Sequence, residues 1–325
     1  MALTDKGEAM KNEIQFQPGL SLTEFIEQYG TEEQCQDALY KLRWPGGFKC
    51  PKCGRSEHCT YHRDAVTVFQ CGICRTQTTL TEGTIFHSTK LPLRKWFQAI
   101  YFLSQTKSNV SGLQLKRHLG VCYRTAWRMK HKIMEIMTDR EKDTVLSGWV
   151  EIDDSYLGGE KAGGKVGRGS ENKVPFIAAI QKNKHGNPVY AVFSQVKAFT
   201  LEDVKAWAQS KLASSTFVTS DGLPCFNAVK DADCIHDKVV VGKKQKSTDL
   251  DCFRWVNTIL GNLKTAAGTY HAFDFRKYGY RYLGEYQYRF NRRFDLAAMF
   301  TRLCSASAKS GKRTEIWLRS ASAED

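Results

Sequence analysis

Two aspartates and an asparagine, placed on apolar runs of the chain, constrain its fold more than any other feature. Asp153 lies within the strand-like run 149–157, and Asp221 ends a second such run, 217–221. Asp221 follows Asp153 by 68 residues, and Asn257 lies 36 residues further on in a helical stretch. Carboxylate and amide oxygens suit hard cations. The pattern predicts an α/β fold whose two strands and helix hold a pair of Mg²⁺ ions for phosphodiester chemistry.

Composition favours a globular chain over a disordered or membrane-spanning one. Of the 325 residues, 25% are charged and 42% hydrophobic, and the length allows two or three domains with cores of their own. No apolar run reaches the roughly 18 residues needed to cross a bilayer. The first residues lack the basic-then-apolar pattern of a signal peptide. We therefore expect a cytoplasmic protein with no membrane partner.

Positive charge is concentrated in two regions. Lys and Arg total 48 against 34 Asp and Glu, a net charge of +14. Residues 49–132 carry fifteen basic and three acidic side chains, and residues 253–293 carry eight and two. This distribution favours contact with a polyanion at two places, although a merely basic protein would share the composition.

Four of the eleven cysteines are paired by their spacing. They form two Cys-x-x-Cys turns separated by seventeen residues, with Cys50 and Cys53 in the first and Cys71 and Cys74 in the second. Two such turns complete a closed tetrahedral site for one structural Zn²⁺ ion. A redox role for either pair is the weaker interpretation. The remaining cysteines indicate scattered buried or surface thiols.

Residues 92–137 predict helices, of which the last two resemble a helix-turn-helix. One helix would end at Gly120 and the next would begin near Cys122. Arg124, Arg128 and Lys132 recur at four-residue spacing on one face of the second helix. We interpret this face as DNA-binding, although ordinary helical hairpins with a solvated basic face share the pattern.

The remainder of the chain alternates strands and helices. Strands are predicted at 147–157, 174–181, 188–196, 215–221 and 238–242, with a helix at about 200–213 and a flexible hairpin loop at 158–173. This order fits the mixed five-stranded sheet of ribonuclease-H-like, integrase-type folds, in which the first and fourth strands are neighbours. The predicted plan is a helical N-terminal segment (1–48), zinc ribbon (49–88), helix-turn-helix region (89–140), ribonuclease-H-like catalytic domain (145–300) and C-terminal tail (301–325).

Several short segments together resemble the insertion-sequence transposases of the 1595 type, also called ISXO-like. The matching segments are 43–53 (RWPGGFKCPKC), 151–159 (EIDDSYLGG), 220–222 (SDG), 255–258 (WVNT), 261–264 (GNLK), 268–271 (GTYH) and 289–294 (RFNRRF). The family joins a zinc ribbon, a helix-turn-helix and a DDE-class domain whose third acid is often Asn followed by Lys. Asp154 departs from the pattern, because the family is expected to favour Glu there.

The resemblance implies roles for individual residues. Asp153, Asp221 and Asn257 would hold two Mg²⁺ (or Mn²⁺) ions, and Lys264, two helical turns after Asn257, would contact a phosphate. The chain would bind terminal inverted repeats, cleave DNA at the element ends and join the 3′-hydroxyls to target DNA. It would act in the nucleoid, as a homo-oligomer assembled on DNA.

Alternatives remain open at this point. Glu285 is a rival third ligand, although its position beside Arg281 and Arg289 favours a helix-surface ion pair. Arg292 and Arg293 are expected to contact phosphates. A zinc-ribbon transcription regulator without catalysis would leave the aspartates unexplained, and a ribonuclease-H-like nuclease would cleave without strand transfer.

Overall fold

The structure is a computed structural model that describes residues 14, 17–64, 66–159, 170, 172–240, 250–270 and 273–320.

Capping residues begin three of the N-terminal helices. Ser21, Thr31 and Ser111 each accept a hydrogen bond from the amide three residues later, where a Glu or Gln side chain accepts one in return. The helices are α1 (Leu22–Tyr29), α2 (Glu32–Arg43), α3 (Leu93–Gln105), α4 (Gly112–Leu119) and α5 (Tyr123–Asp139).

A small antiparallel sheet lies between α2 and α3. Its strands are β1 (His58–Arg63), β2 (Val66–Cys71) and β3 (Gln77–Thr79), in the order β1-β2-β3. Trp44, Phe48 and Phe69 form its apolar cluster together with two buried cysteines. So small a cluster is a poor core by itself. A metal ion bound by the cysteines would therefore add stability to this region.

Gly120 produces the sharp turn between α4 and α5. Its φ of 62° lies in the left-handed region that favours glycine, and its N–H donates to Lys116 O. The predicted end of one helix at this glycine and the start of the next near Cys122 are confirmed. Leu115, Leu119 and Ala126 are fully buried between the helices.

A five-stranded mixed sheet forms the second half of the protein. Its strands are β4 (Trp149–Leu157), β5 (Val174–Lys182), β6 (Pro188–Gln195), β7 (Phe217–Ser220) and β8 (Ile235–Lys238). They lie in the order β6-β5-β4-β7-β8, with β4 antiparallel to β5 and parallel to β7. The predicted pairing of the first and fourth strands is thus confirmed. The fifth strand begins at Ile235 rather than at the predicted 238, and residues 241–242 of that prediction lie outside the described residues, as does most of the predicted loop.

Each face of this sheet is covered by helices. Helix α6 (Leu201–Lys211) and a 3-10 helix (Pro224–Ala232) pack on the face that carries Val150 and Ile152. Helices α7 (Arg254–Ala267) and α8 (Phe275–Asn291) pack on the opposite face, which carries Phe176 and Ala178. Within the described residues, no helix has both the length and the hydropathy to cross a bilayer.

Helices near the C-terminus return to the N-terminal helices. They are α9 (Leu296–Lys309) and α10 (Glu315–Ser320). Leu303 and Cys304 of α9 are buried against residues of α1 and α3, such as Phe25 and Phe97. The boundary predicted at residue 300 therefore falls inside a packed helix, and the segment after it is not a separate tail as far as residue 320. Long-range packing of this kind has no local sequence signal.

Candidate active site and zinc site

Adjacent parallel strands bring two predicted ligands together. In the register of β4 and β7, Ile152 lies opposite Ser220, the last paired residues of the two strands. The residues that follow them, Asp153 and Asp221, are therefore neighbours. Carboxylate oxygens of Asp153, Asp154 and Asp221 all lie within 4.8 Å of one another. Asp154, which the sequence interpretation treated only as a departure from a family pattern, therefore belongs to the cluster.

Burial and repulsion make the acidic cluster electrostatically costly. Burial, followed by the charges of Asp154 and Asp221, raises the pKa of Asp153 to about 7. A hydrogen bond from the Asp154 N–H and the charge of Lys264 act in the opposite direction. A carboxylate such as Asp153, whose charged form is disfavoured by burial and by neighbouring acids, is well suited to a divalent cation, which would offset both effects. The donor set therefore fits a site for divalent cations.

Helix α7 lies on the face of the sheet that carries Asp153. Asp153 is the cross-strand partner of Ala178, and Ala178 packs with Val256 and Ile259 of α7. Asn257 follows Val256, and its Nδ2 donates to Phe253 O at 3.0 Å, so its oxygen is the atom suited to a cation. The charge of Lys264, on the same helix, acts to lower the pKa of Asp153.

Glu285, the rival ligand, lies in a different cluster. Its carboxylate is fully buried, accepts a hydrogen bond from Tyr270 Oη at 3.0 Å and lies 3.7 Å from Lys130 Nζ. Among the residues that the structure describes, Glu285 belongs to no group of three or more acidic, His or Cys side chains that could hold a metal ion. The expected ion pair on the helix surface is therefore wrong: Glu285 is buried because α8 packs against α5, and Arg281 pairs with Glu135 instead.

Glu151 is a buried acid whose role sequence reasoning missed. It lies two residues before Asp153, is fully buried, and accepts hydrogen bonds from the backbone of α7. A glutamate between two apolar residues of the strand, Val150 and Ile152, was the available signal, because buried charges need partners.

Four thiols meet at the edge of the small sheet. The sulfurs of Cys50, Cys53, Cys71 and Cys74 all lie within 4.8 Å of one another. Two of the separations are 3.5 Å (Cys50–Cys74) and 3.6 Å (Cys53–Cys71). Tetrahedral zinc with bonds of about 2.3 Å requires sulfur separations of about 3.8 Å. The group therefore fits a structural zinc ion, and hydrogen bonding with Thr76 lowers the pKa of the Cys74 thiol to about 6.

The predicted DNA-binding side chains of α5 already have protein partners. Arg124 and Arg128 lie 2.9 and 3.3 Å from Glu315 of α10, and their side chains remain 72% and 45% exposed. Lys132 Nζ donates to Ile85 O at 2.7 Å, and burial lowers its pKa to about 8. Two of the three residues thus remain accessible on the surface of the helix.

The two arginines at the end of α8, Arg292 and Arg293, already contact other groups of the protein. Arg292 pairs with Glu141 and lies over the ring of Tyr288. Arg293 donates to Phe290 O at 2.7 Å, and burial lowers its pKa to about 10. Phosphate contact by these side chains stays a prediction.

Family models match both halves of the chain. An ISXO2-like transposase domain matches residues 145–291, and a transposase zinc-ribbon domain matches residues 30–77. The resemblance to the ISXO2-like transposases is confirmed. The first match spans the acidic cluster and α7, and the second spans the four cysteines.

Individual known proteins are also similar to this chain. A protein of Halobacterium salinarum, described as an uncharacterized protein in transposable element ISH50, is 27% identical over 237 residues, or 66% of this chain and 76% of the relative. The Mos1 mariner paired-end complex with Mn aligns at 11% identity and a TM-score of 0.20, over 65% of this chain and 77% of its own. The Mos1 paired-end complex with the left transposon end aligns at 11% identity and a TM-score of 0.18, over 66% of this chain and 78% of its own.

Proposed function

We propose that this chain is a transposase that cleaves DNA strands at the ends of its element and joins the 3′-hydroxyls to target DNA. The observation that carries the proposal is the cluster of Asp153, Asp154 and Asp221 at the junction of β4 and β7. The strand order supports a ribonuclease-H-like catalytic domain, because antiparallel β6, β5 and β4 are followed by parallel β7 and β8.

The proposal assigns metal binding to three residues of the site and a phosphate contact to a fourth. Asp153, Asp221 and the Asn257 amide oxygen would hold two Mg²⁺ or Mn²⁺ ions. Such ions, when bound, activate an attacking oxygen and stabilise a leaving oxygen. Lys264, whose charge acts to lower the pKa of Asp153, would neutralise a DNA phosphate.

DNA recognition is assigned to the N-terminal half. The zinc ribbon and α4–α5 would bind terminal inverted repeats, with Arg124 and Arg128 as the accessible cations of α5. Two element ends must be cut and joined together, so we propose a homo-oligomer assembled on DNA.

The test is a cleavage and joining assay. Full-length protein is incubated with duplexes carrying the element ends, a target plasmid, and Mg²⁺, Mn²⁺ or a chelator. Cleaved and joined products should require the cation, and Asp153→Asn or Asp221→Asn should reduce both by roughly 10²-fold or more. Asp231→Asn, at an aspartate paired with Lys205 outside the cluster, is the control.

Other outcomes would favour the two alternative functions. Cation-dependent cleavage without joined products would favour a nuclease. Binding of the repeats without cleavage in any cation would favour a regulator and contradict the proposal.

A further inference from the structure

Helix α7 lacks a cap from its own sequence. Its N-cap residue is Phe253, whose side chain makes no capping hydrogen bond. The amides at the second and third helical positions, where an N-cap Ser or Asp would normally bind, belong to Trp255 and Val256. This helix carries both Asn257 and Lys264.

A carboxylate from the sheet satisfies those amides. Glu151 Oε2 accepts hydrogen bonds from Trp255 N at 3.0 Å and Val256 N at 2.8 Å, across 104 and 105 residues of sequence. Its second oxygen, Oε1, lies 3.0 Å from Lys182 Nζ of β5. A buried carboxylate at a helix N-terminus also interacts favourably with the helix dipole. Glu151 is thus a cap provided by another element.

The cap lies next to the acidic cluster on both elements. Glu151 and Asp153 are two residues apart on β4, so they point to the same face of the sheet. Asn257 directly follows Val256, whose amide Glu151 holds. The same carboxylate therefore fixes the start of α7 relative to the strand of Asp153.

We propose that Glu151 is a positioning residue of the active site, which sets Asn257 against Asp153 and Asp221 by capping α7. The inference rests on the proposed function, because it assigns Asn257 as a ligand. Displacement of a catalytic group by about 1 Å can cost roughly 10²-fold in rate. A small displacement of α7, caused by loss of the Glu151 contact at its start, should therefore slow the reaction strongly.

The experiment compares Glu151→Gln and Glu151→Ala in the full-length protein. The glutamine keeps one oxygen for the two amides but loses its charge, so it should slow cation-dependent cleavage by roughly tenfold. The alanine should slow it by roughly 10²-fold. Both variants should accelerate amide hydrogen exchange at residues 254–260 and weaken binding of Mn²⁺ measured by calorimetry.

A matched control separates positioning from loss of stability. Glu135 is also a buried glutamate, bound by Arg281 and Tyr280 away from α7. Glu135→Gln should lower the melting temperature without changing hydrogen exchange at 254–260 or the Mn²⁺ affinity.

A double mutant shows whether Glu151 acts through Asn257. In an Asn257→Ala background, Glu151→Gln should cause no further loss of Mn²⁺ affinity or cleavage, because coupled residues are not additive. Additive losses would show that Glu151 acts independently of Asn257 and would overturn the proposal. Unchanged exchange at 254–260 in both single variants would overturn it too.

Failure of the proposed function would look different. If the wild-type protein neither cleaves nor joins DNA, transposition is disproved, while hydrogen exchange and Mn²⁺ binding still decide whether Glu151 positions Asn257.

Discussion

Arg124 Nε lies 2.9 Å from Glu315 Oε1, which places a carboxylate of α10 on the basic face of α5. The same carboxylate contacts Arg128, and Arg319 of α10 lies over the ring of Trp127. Hydrogen bonds from Arg124 and Arg319 lower the pKa of Glu315 to about 2, so it remains charged at neutral pH. Helix α10 therefore competes with any phosphate for these arginines.

Glu315→Gln should strengthen binding to terminal-repeat DNA, because it releases Arg124 and Arg128. The slope of log affinity against log salt should steepen by up to about 1.8, since each phosphate contact contributes about 0.9. Fluorescence anisotropy over a salt series measures both quantities. Glu202→Gln, which removes a charge at an exposed site on α6, is the control. Equal effects of the two substitutions would mean that only net charge matters.

Cys50→Ser should remove the zinc ion and unfold the region that includes β1–β3. The buried Cys50 belongs to the four-thiol cluster, whereas Cys59 is exposed on β1 and lies outside it. Elemental analysis should find one zinc ion per chain in the wild type and in Cys59→Ser. Full zinc occupancy after loss of both Cys71 and Cys74 would contradict the site.

Asn257→Ala should reduce cleavage and joining by roughly 10²-fold or more while DNA binding persists. Asn257→Asp should retain measurable activity, because it keeps an oxygen at nearly the same place. The comparison is Glu285→Gln, which leaves the buried Lys130 a neutral partner and should chiefly lower the melting temperature. Normal cleavage by Asn257→Ala and none by Glu285→Gln would show that Glu285 is the third ligand.

Lys132→Met should change the pH dependence of stability. Burial, followed by the charge of Arg128, lowers the pKa of Lys132 from 10.5 to about 8, so folding disfavours its charged form. Its contribution to stability is therefore present at high pH and lost as the pH falls through about 8. The variant should show a smaller gain in melting temperature between pH 8 and 10 than the wild type.

The same variant tests the role of Lys132 in DNA binding. Because its ammonium group donates to Ile85 O, Lys132→Met should leave the salt slope of DNA binding unchanged. Lys184→Met, at an exposed lysine, should affect neither quantity. A slope reduced by about 0.9 would show that Lys132 contacts a phosphate.

Local patterns in the sequence determined much of the architecture. Cysteine spacing predicted the four-thiol group, and alternating apolar runs predicted the strands that carry Asp153 and Asp221, in the order that makes β4 and β7 neighbours. The turn at Gly120 was also visible, because a glycine acts on its immediate neighbours in the chain.

Tertiary structure alone decided the contacts between distant segments. Glu151 caps a helix 104 residues away, Glu285 is buried against Lys130, and Glu315 reaches Arg124 across 191 residues. Periodicity and charge patterns report which side chains share a face of one element, but not which element packs against that face. The physical reason is that burial and ion pairing depend on distances set by the whole fold. Chemically identical glutamates therefore form a helix cap, a buried ion pair or a surface ion pair, according to what packs around them.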